Sequence, residues 1–423
     1  MGFRKTDLAD NEIQRVEQHF IKSTDPRFAD IDAAAFASKN LWNAANYILR
    51  QAFIPDHRLV DFKELYRVIK TTDAYKSLPR KVSNQVLIQL KTAWSSYFKA
   101  LAAWKQEPDK FLGRPRLPGY KPKTEGRNIL TYENGAISRR SLKKGLVDVS
   151  LLHLAIPTKH KNISQVRIVP RQGHYVVEIV YIAPIEQGEA LDSNLVAGID
   201  LNLDNLVVLA SNKPGFQPLI VNGRPLKSLN QFYNKTRAEL QSHLPAGQYD
   251  SGRLRAITNR RNRRVKDYLH KTSRLVVDKL VSEGIGTLVI GYNKGWKQAI
   301  EIGRVNNQKF VSIPHAQLVE LISYKARLVG LKVIIQNESH TSKCSFLDLE
   351  QIGHQAKYLG RRIYRGLFRA ADGRLIHADV NGALNIIRKA IPDAFVRGLA
   401  GIAVCPVRVN VFIGPSAKKI GCH

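Results

Sequence analysis

The chain has 423 residues, of which 66 are Lys or Arg and 35 are Asp or Glu, so its formal net charge is +31. That length calls for two or three domains, and 44% hydrophobic with 24% charged residues excludes a disordered chain. The positive excess favours a polyanionic partner, nucleic acid above all, although a basic ribosomal or membrane-surface protein has a similar balance.

The sequence carries no sign of export or of a membrane segment. The first residues lack the apolar core of a signal peptide, and no run approaches the roughly 18 apolar residues that a membrane helix needs. Cys344, Cys405 and Cys422 are too widely spaced for a disulfide framework. We therefore expect a soluble cytoplasmic protein with no membrane partner.

The first half predicts helices followed by strands. Residues 1–30 give no clear periodicity, whereas helical periodicity begins near Ile31 and returns from Ser83 to Trp104. A basic stretch rich in Pro and Gly at 111–126 predicts a connection between domains. The alternating runs ISQVRIV and HYVVEIVYIA then predict a small antiparallel β-barrel or sandwich.

The second half predicts a different architecture. VAGIDLN, LVVLASN and QPLIVNG predict three strands, and the stretch from Leu226 to Ser282 predicts a long basic helix. Strand TLVIG, helix HAQLVELISYKARLVG, strand LKVIIQN, an irregular insert and helix VNGALNIIRKA follow. This order predicts a ribonuclease H-like α/β domain, and the loss of periodicity after 391 predicts a loosely held tail.

Two aspartates stand where catalytic carboxylates are useful. Asp200 closes the strand VAGID, and Asp379 begins the last helix. A carboxylate on a buried strand needs a cation or hydrogen bonds, and phosphodiester hydrolysis uses carboxylates that bind two Mg²⁺. A turn residue at Asp200 and a helix N-cap at Asp379 are the ordinary alternatives.

These residues carry a resemblance to a known family. VAGIDLNLDNLVVLAS resembles the first RuvC motif of the TnpB family, and HADVNGALNIIRKA resembles the third. SHTSKCSFLD is similar to the stretch that leads into the family's zinc ribbon, and residues 78–121 resemble its helical domain. The matches run in the family's order from about 30 to 410. TnpB proteins are transposon-encoded, RNA-guided nucleases related to type V CRISPR effectors.

The resemblance implies an α/β RuvC nuclease domain with a wedge β-barrel and a helical recognition domain. It implies a guide RNA, transposon-derived or CRISPR-like, that pairs with double-stranded target DNA beside a short adjacent motif. A prokaryotic, nucleoid-associated monomer is expected. The predicted domains are the start of the wedge at 1–30, the recognition helices at 31–122, the wedge barrel at 123–190, the RuvC domain at 191–339 and 378–395, an insert at 340–377 and a tail at 396–423.

The chain departs from the family pattern at the second carboxylate. The strand TLVIG would end in Glu in the family, but here the residue is Gly291. Glu338, at the end of the next strand, is the nearest substitute, and Glu301 follows a loop. We read Asp200, Glu338 and Asp379 as a relocated catalytic triad that binds two Mg²⁺, with Mn²⁺ as a substitute. Alternatively, Glu338 only caps the following turn and the nuclease is inactive.

The second departure concerns zinc. A four-cysteine ribbon needs two Cys-x-x-Cys pairs, but the third residue after Cys344 is Leu347 and the region 368–373 has no sulfur. His340, His354 and His377 have no familiar ligand spacing. We therefore predict no structural zinc and a buried, apolar role for Cys344.

Several basic, aromatic and amide side chains are candidates for nucleic-acid contact. The dense basic stretch between 253 and 274 predicts phosphate contacts along a heteroduplex, and a basic segment near 140 predicts contacts with RNA. Asn43 is a candidate reader of base edges, and Tyr292 and Trp296 are equally suited to stacking on a base and to packing. The candidates are Arg253, Arg255, Arg260, Arg261, Arg263, Arg264, Lys266, Lys271, Arg139, Arg140, Lys143, Lys144, Asn43, Tyr292 and Trp296.

Three functions follow from this reading. The first is an RNA-guided, Mg²⁺-dependent DNA endonuclease with a single RuvC site. The second is an RNA-guided DNA-binding protein that has lost cleavage and acts as a repressor. The third is a transposase that uses the same carboxylates for strand transfer, which the expected lack of a target-joining domain disfavours.

Overall fold

The computed structural model describes residues 12–185, 191–293, 312–396 and 398–411. The chain divides into two compact units, Met1–Pro184 and Ile185–His423. Among the described helices, none is both long and apolar enough to cross a membrane.

The first unit combines antiparallel strands with helices. Its strands are β1 (Glu12–Lys22), β2 (Leu130–Glu133), β3 (Leu146–Val149), β4 (Leu152–Pro157), β5 (Ile163–Arg171) and β6 (His174–Pro184). Its helices are α1 (Phe28–Asp56), α2 (Phe62–Ile69), α3 (Asp73–Lys76), α4 (Arg80–Gln106) and α5 (Arg139–Lys143). The sheet has the order β1-β6-β5-β2, and β3 and β4 form a separate pair. A closed barrel is therefore not seen in the described residues and stays a prediction.

The two long helices predicted in this unit are confirmed, whereas β1 was not predicted. Its eleven residues pair with β6 from Glu12 opposite Pro184 to Lys22 opposite His174. The start of the chain therefore shares a sheet with residues 174–184, and the helices α1 to α4 lie between β1 and β2 in sequence. The helices have their own apolar core, which includes Leu90.

The second unit is built around one mixed sheet. Its strands are β7 (Asp192–Asp200), β8 (Asn205–Ser211), β9 (Leu219–Asn222), β10 (Ile285–Gly291), β11 (Lys332–Gln336), β12 (Arg361–Tyr364), β13 (Leu367–Arg369), β14 (Leu375–His377) and β15 (Val407–Val409). Its helices are α6 (Arg224–Ser242), α7 (Gly252–Ser282), α8 (His315–Leu328) and α9 (Ala378–Ala390). The large sheet has the order β11-β10-β7-β8-β9-β15, and β12 to β14 form a small sheet in the insert.

Helices cover both faces of the large sheet. Ile199 belongs to a core shared with α6, α7 and α8, whereas Val196 belongs to a second core shared with α9 and the insert. This separation follows from the strand period of two, which sends alternate side chains to opposite faces. The predicted order of strands and helices is therefore confirmed.

Two predictions for this unit need correction. The stretch from 226 to 282 is two helices rather than one, because α6 ends at Ser242 and the intervening segment contains Pro245 and Gly247, with a positive φ of 82° at the glycine. Pro and Gly end helices in this way. The tail is not wholly loose, since β15 pairs in parallel with β9 and extends the sheet.

Candidate functional site

The first two carboxylates meet where α9 packs on β7. A Cβ atom on Gly198 would lie 2.3 Å from the Ala383 carbonyl oxygen, so only glycine lets the helix approach the strand this closely. A Cβ atom on Gly382 would lie 3.3 Å from Oδ2 of Asp200, which places that carboxylate beside the first turns of α9. Asp379 is the second residue of the helix, and the N-cap is His377, whose Nδ1 accepts the backbone N–H of Asp379 at 3.3 Å.

Glu338 reaches the same area from two strands away. Strand β10 lies between β7 and β11, and Gly291 at its end pairs with Gln336. A Cβ atom on Gly291 would lie 3.0 Å from Oε2 of Glu338. The Glu338 carboxylate thus lies beside the space that a side chain at position 291 would need, and the absence of that side chain lets it in.

Electrostatics tie the three carboxylates together. Burial first, and then the negative charges of Asp379 and Glu338, raise the pKa of Asp200 well above its ordinary value. Burial also raises the pKa of Glu338 to about 7, and the positive charge of Lys389 opposes that rise. Such shifts arise where carboxylates are buried or lie near other negative charges, and they are common at functional sites.

The three carboxylates are the type of ligand that a divalent cation prefers, although they do not lie close together. Oε2 of Glu338 is buried and has no hydrogen-bond partner among the described groups. A buried carboxylate oxygen without a hydrogen-bond partner is a group that a hard cation such as Mg²⁺ satisfies, and the charge of Glu338 acts on Asp200. Within residues 12–411, gaps excepted, no three His, Cys, Asp or Glu side chains lie close enough together to form a complete metal-binding group.

Amide and guanidinium side chains complete the site, and sequence reasoning missed them. Asn202 donates to Oδ2 of Asp200 at 2.9 Å, and Asn205 donates to Oδ2 of Asp379 at 2.6 Å. Arg362, on β12 of the insert, places Nη2 3.5 Å from Oδ1 of Asp379. The two asparagines directly follow Asp200 in LNLDN, and this was the available signal. Nothing local in the sequence pointed to Arg362.

Asn293 holds the third carboxylate. Its Oδ1 accepts the backbone N–H of Glu338 at 3.1 Å, and its Nδ2 lies 3.5 Å from Oε1 of the same residue. The end of β10 therefore positions a side chain that is carried by the turn after β11.

Most of the predicted basic contacts lie on exposed surfaces. On α7 the outward residues are Arg253, Arg255, Arg260, Arg263 and Arg264, while Lys266 and Lys271 are partly buried. Arg255 pairs with Asp250, and Lys271 pairs with Asp267. The α5 segment exposes Arg139, Arg140, Lys143 and Lys144. These placements leave phosphate contact a prediction.

Two candidates are engaged inside the protein instead. Arg261 donates to Oδ1 of Asn230 at 2.7 Å and to the Ser312 carbonyl at 2.6 Å, so it braces α7 against its neighbours. The Asn43 amide both donates to and accepts from the backbone of Lys121, each at 2.9 Å. Their polar groups are therefore used within the fold, and contact with nucleic acid stays a prediction for both residues.

Of the two aromatic candidates, Tyr292 and Trp296, the structure describes only the first. Tyr292 is partly buried and packs against the core formed with α6, α7 and α8, which makes it a packing anchor in this structure. Trp296 and Glu301 lie outside the described residues. Stacking on a base stays a prediction for both Tyr292 and Trp296.

Hydrogen bonds hold the insert around Cys344. The thiol is buried and lies 3.5 Å from the Gln351 carbonyl oxygen and 3.7 Å from that of Gly353. The Glu350 carboxylate accepts the backbone N–H groups of Ser345 at 2.6 Å and Leu359 at 2.9 Å. Burial raises the pKa of the Cys344 thiol, which favours the protonated form that donates to these carbonyl oxygens.

We therefore expect the purified protein to contain no stoichiometric zinc. The Cys344 thiol is already satisfied by hydrogen bonds to carbonyl oxygens, and one cysteine cannot provide the four ligands of a zinc ribbon. Elemental analysis of protein prepared without chelator checks this, and the melting temperature should be the same with added zinc and with EDTA. One zinc per chain would contradict the prediction.

Comparisons with known proteins agree with this architecture. Residues 174–297 match the family OrfB_IS605, described as a probable transposase, and residues 315–386 match the Cas12f1-like TNB domain. The TnpB-like protein ORF457 of Acidianus two-tailed virus is 24% identical over 410 residues, which cover 86% of this chain and 83% of that protein.

Other relatives match parts of the chain. The CRISPR-associated endodeoxyribonuclease Cas12f2 of a Micrarchaeota archaeon is 25% identical over 236 residues, which cover 52% of this chain but only 41% of that protein. A cryo-EM structure of a Cas12f1-sgRNA-target DNA complex has a similar fold, with a TM-score of 0.50 at 13% identity over 84% of this chain and 82% of that one. The resemblance to the TnpB family is confirmed.

Proposed function

We propose that this TnpB-like chain is an RNA-guided DNA endonuclease that cleaves target DNA at one RuvC site formed by Asp200, Glu338 and Asp379. One observation carries the proposal. The Glu338 carboxylate, with an orphaned buried oxygen, lies at the position that Gly291 leaves open. Glu338 would thus supply the third carboxylate, which the family pattern has at the end of the strand that finishes here with Gly291.

The three carboxylates would hold Mg²⁺, or Mn²⁺ in its place. The bound ions would stabilise the charge that develops on the entering and leaving oxygens of a phosphodiester. Asn202 and Asn205 orient the two aspartates through their amides, and Asn293 orients Glu338. These hydrogen bonds fix carboxylate oxygens before substrate arrives, which reduces the reorganisation needed in the reaction.

Guide RNA and double-stranded DNA with a short adjacent motif are the proposed partners. The exposed cations of α7 and α5 support this, because phosphate contacts provide most of the sequence-independent affinity. The names of the relatives, an endodeoxyribonuclease and a complex with single-guide RNA and target DNA, support the same partners.

One specific observation favours the second candidate, a guided DNA-binding protein without cleavage. The described carboxylates do not form a complete metal-binding group, and Arg362 already contacts Asp379. A cationic side chain in that place can neutralise an aspartate without a metal.

Incubating the purified protein with guide RNA and matching DNA separates the candidates. The endonuclease cuts the target with Mg²⁺ or Mn²⁺, requires the matching guide and stops with EDTA. A guided DNA-binding protein retains the target without cutting under every condition. Strand transfer would instead yield joined products, which hydrolysis does not produce.

The α7 surface gives a separate prediction. Arg264→Ala should weaken binding of guided target DNA and make the slope of log affinity against log salt about one unit less steep, because one phosphate contact is lost. Arg274→Ala is the matched control, since its guanidinium already pairs with Asp278 at 2.8 Å. Filter binding across salt concentrations measures both slopes. Equal slopes for Arg264→Ala and the parent would remove α7 from the interface.

A further inference from the structure

We propose that helix α9 positions Glu338 through a clamp of polar side chains, defined as Asn381, Asn385 and Lys389, that grips the backbone after β11. The proposal rests on the endonuclease site described above and assigns positioning roles to residues that do not touch the carboxylate itself. The same helix carries Asp379 in its first turn, so one element would set two of the three carboxylates.

The turn that carries Glu338 is short and closed on itself. The Glu338 carbonyl oxygen accepts the backbone N–H of Thr341 at 3.2 Å and its hydroxyl at 2.8 Å. Within this turn His340 has a φ of 70°, in the left-handed region that residues other than glycine seldom adopt. A turn with that backbone strain persists only when the surrounding structure holds it.

Buried asparagine side chains of α9 hold the turn through hydrogen bonds to its backbone and to the residues that follow it. Asn385 donates to the Thr341 carbonyl at 3.0 Å and to the Cys344 carbonyl at 2.8 Å. Asn381 donates to the same Cys344 oxygen at 2.9 Å and accepts the Phe346 N–H at 2.8 Å. Both asparagines are fully buried and four residues apart, so they share one face of the helix.

Lys389 extends the clamp by another turn. Its Nζ donates to the Ser339 carbonyl at 2.8 Å, directly after Glu338 in the chain. The clamp therefore grips the segment 339–346 at both ends, and a shift of α9 moves Glu338 and Asp379 together. Groups that orient metal ligands in this way typically change metal affinity about 10- to 100-fold when removed.

Mn²⁺ binding to the protein–guide complex, measured by calorimetry without target DNA, tests the clamp without relying on cleavage. Asn385→Ala removes buried hydrogen bonds without a change of charge and should weaken Mn²⁺ binding about 10- to 100-fold. Lys389→Met also removes a positive charge that acts on Glu338, which by itself favours a bound cation, so weaker Mn²⁺ binding in this variant reports the lost hydrogen bond. Lys389→Arg, which keeps both the charge and a donor, should bind almost as the parent does. Ile387→Val, a truncation in the same helix, is the control for lost stability, with melting temperatures recorded for every variant.

A double-mutant cycle with Glu338→Gln tests whether the clamp acts on Mn²⁺ binding through Glu338. If the clamp acts through Glu338, Lys389→Met and Asn385→Ala have little further effect on Mn²⁺ affinity in the Glu338→Gln background. Equal losses in both backgrounds, or an equal loss in Ile387→Val, would overturn the clamp and leave Glu338 as a ligand. Unchanged Mn²⁺ affinity in Glu338→Gln alone would overturn the relocated ligand, and the clamp with it.

Discussion

Replacing Glu338 by Gln should abolish cleavage of guided target DNA while leaving guide RNA and target DNA bound. Gln keeps the shape of the side chain and removes its charge. The two aspartates alone would then have to balance the positive charge of the metal ions. Because metal stabilisation of a transition state is worth several kcal/mol, the rate should fall by a factor on the order of 10³ or more. A cleavage assay with labelled target, together with a binding assay, measures both effects.

Glu320→Gln is the matched control, since it makes the same charge change on an exposed position of α8. It should cut at the parent's rate. A rate close to the parent's in Glu338→Gln would end the case for a relocated carboxylate. A parent protein that never cuts with Mg²⁺ or Mn²⁺ would establish the guided-binding candidate instead.

Replacing Gly291 by Ala should reduce cleavage by up to about 10²-fold, the loss expected when catalytic groups move by as much as about 1 Å. The new Cβ atom would lie 2.4 Å from Cδ1 of Ile386 and 3.0 Å from Oε2 of Glu338. The first distance is too short for any real contact, so the end of the Ile386 side chain must rotate away, and the second requires the Glu338 carboxylate to give by a few tenths of an ångström. Single-turnover cleavage at saturating Mg²⁺ measures the loss.

A second substitution tests the cause of that loss. Ile386→Val removes the Cδ1 atom, so the Gly291→Ala/Ile386→Val pair should recover part of the cleavage rate. Gly252→Ala is the control, because a Cβ atom there meets nothing within 4 Å. Cleavage by Gly291→Ala at the parent's rate would show that Glu338 does not depend on the space at position 291.

Local patterns predicted much of the second unit. The strand runs and the helical periodicity of the second half were read correctly because each element is long and strongly apolar on its buried face. Glu338 became a candidate because it closes a strand on the same edge as Asp200, and the sheet order places just β10 between their two strands. The open space beside Gly291 could not be predicted from the sequence, because it depends on how the strand ends and α9 pack together.

Other features depend on contacts that are distant in sequence. Strand β1 was missed because its polar residues give a weak pattern and its partner, β6, begins at His174. Asn43 and Arg261 were predicted to contact nucleic acid, and the sequence did not reveal that their side chains also bind backbone groups elsewhere in the fold. The break between α6 and α7 was marked by Pro245 and Gly247, and the long helical pattern obscured it.

The hydrogen bond between Asn205 and Asp379 joins residues 174 positions apart in the chain. A ribosome that adds about 5 to 20 residues per second needs roughly 10 to 35 s to make the intervening segment. Throughout that interval the nascent polypeptide has its first aspartate without the helix that carries the other. The contact between these two residues can therefore form only late in synthesis, after most of the chain has been made.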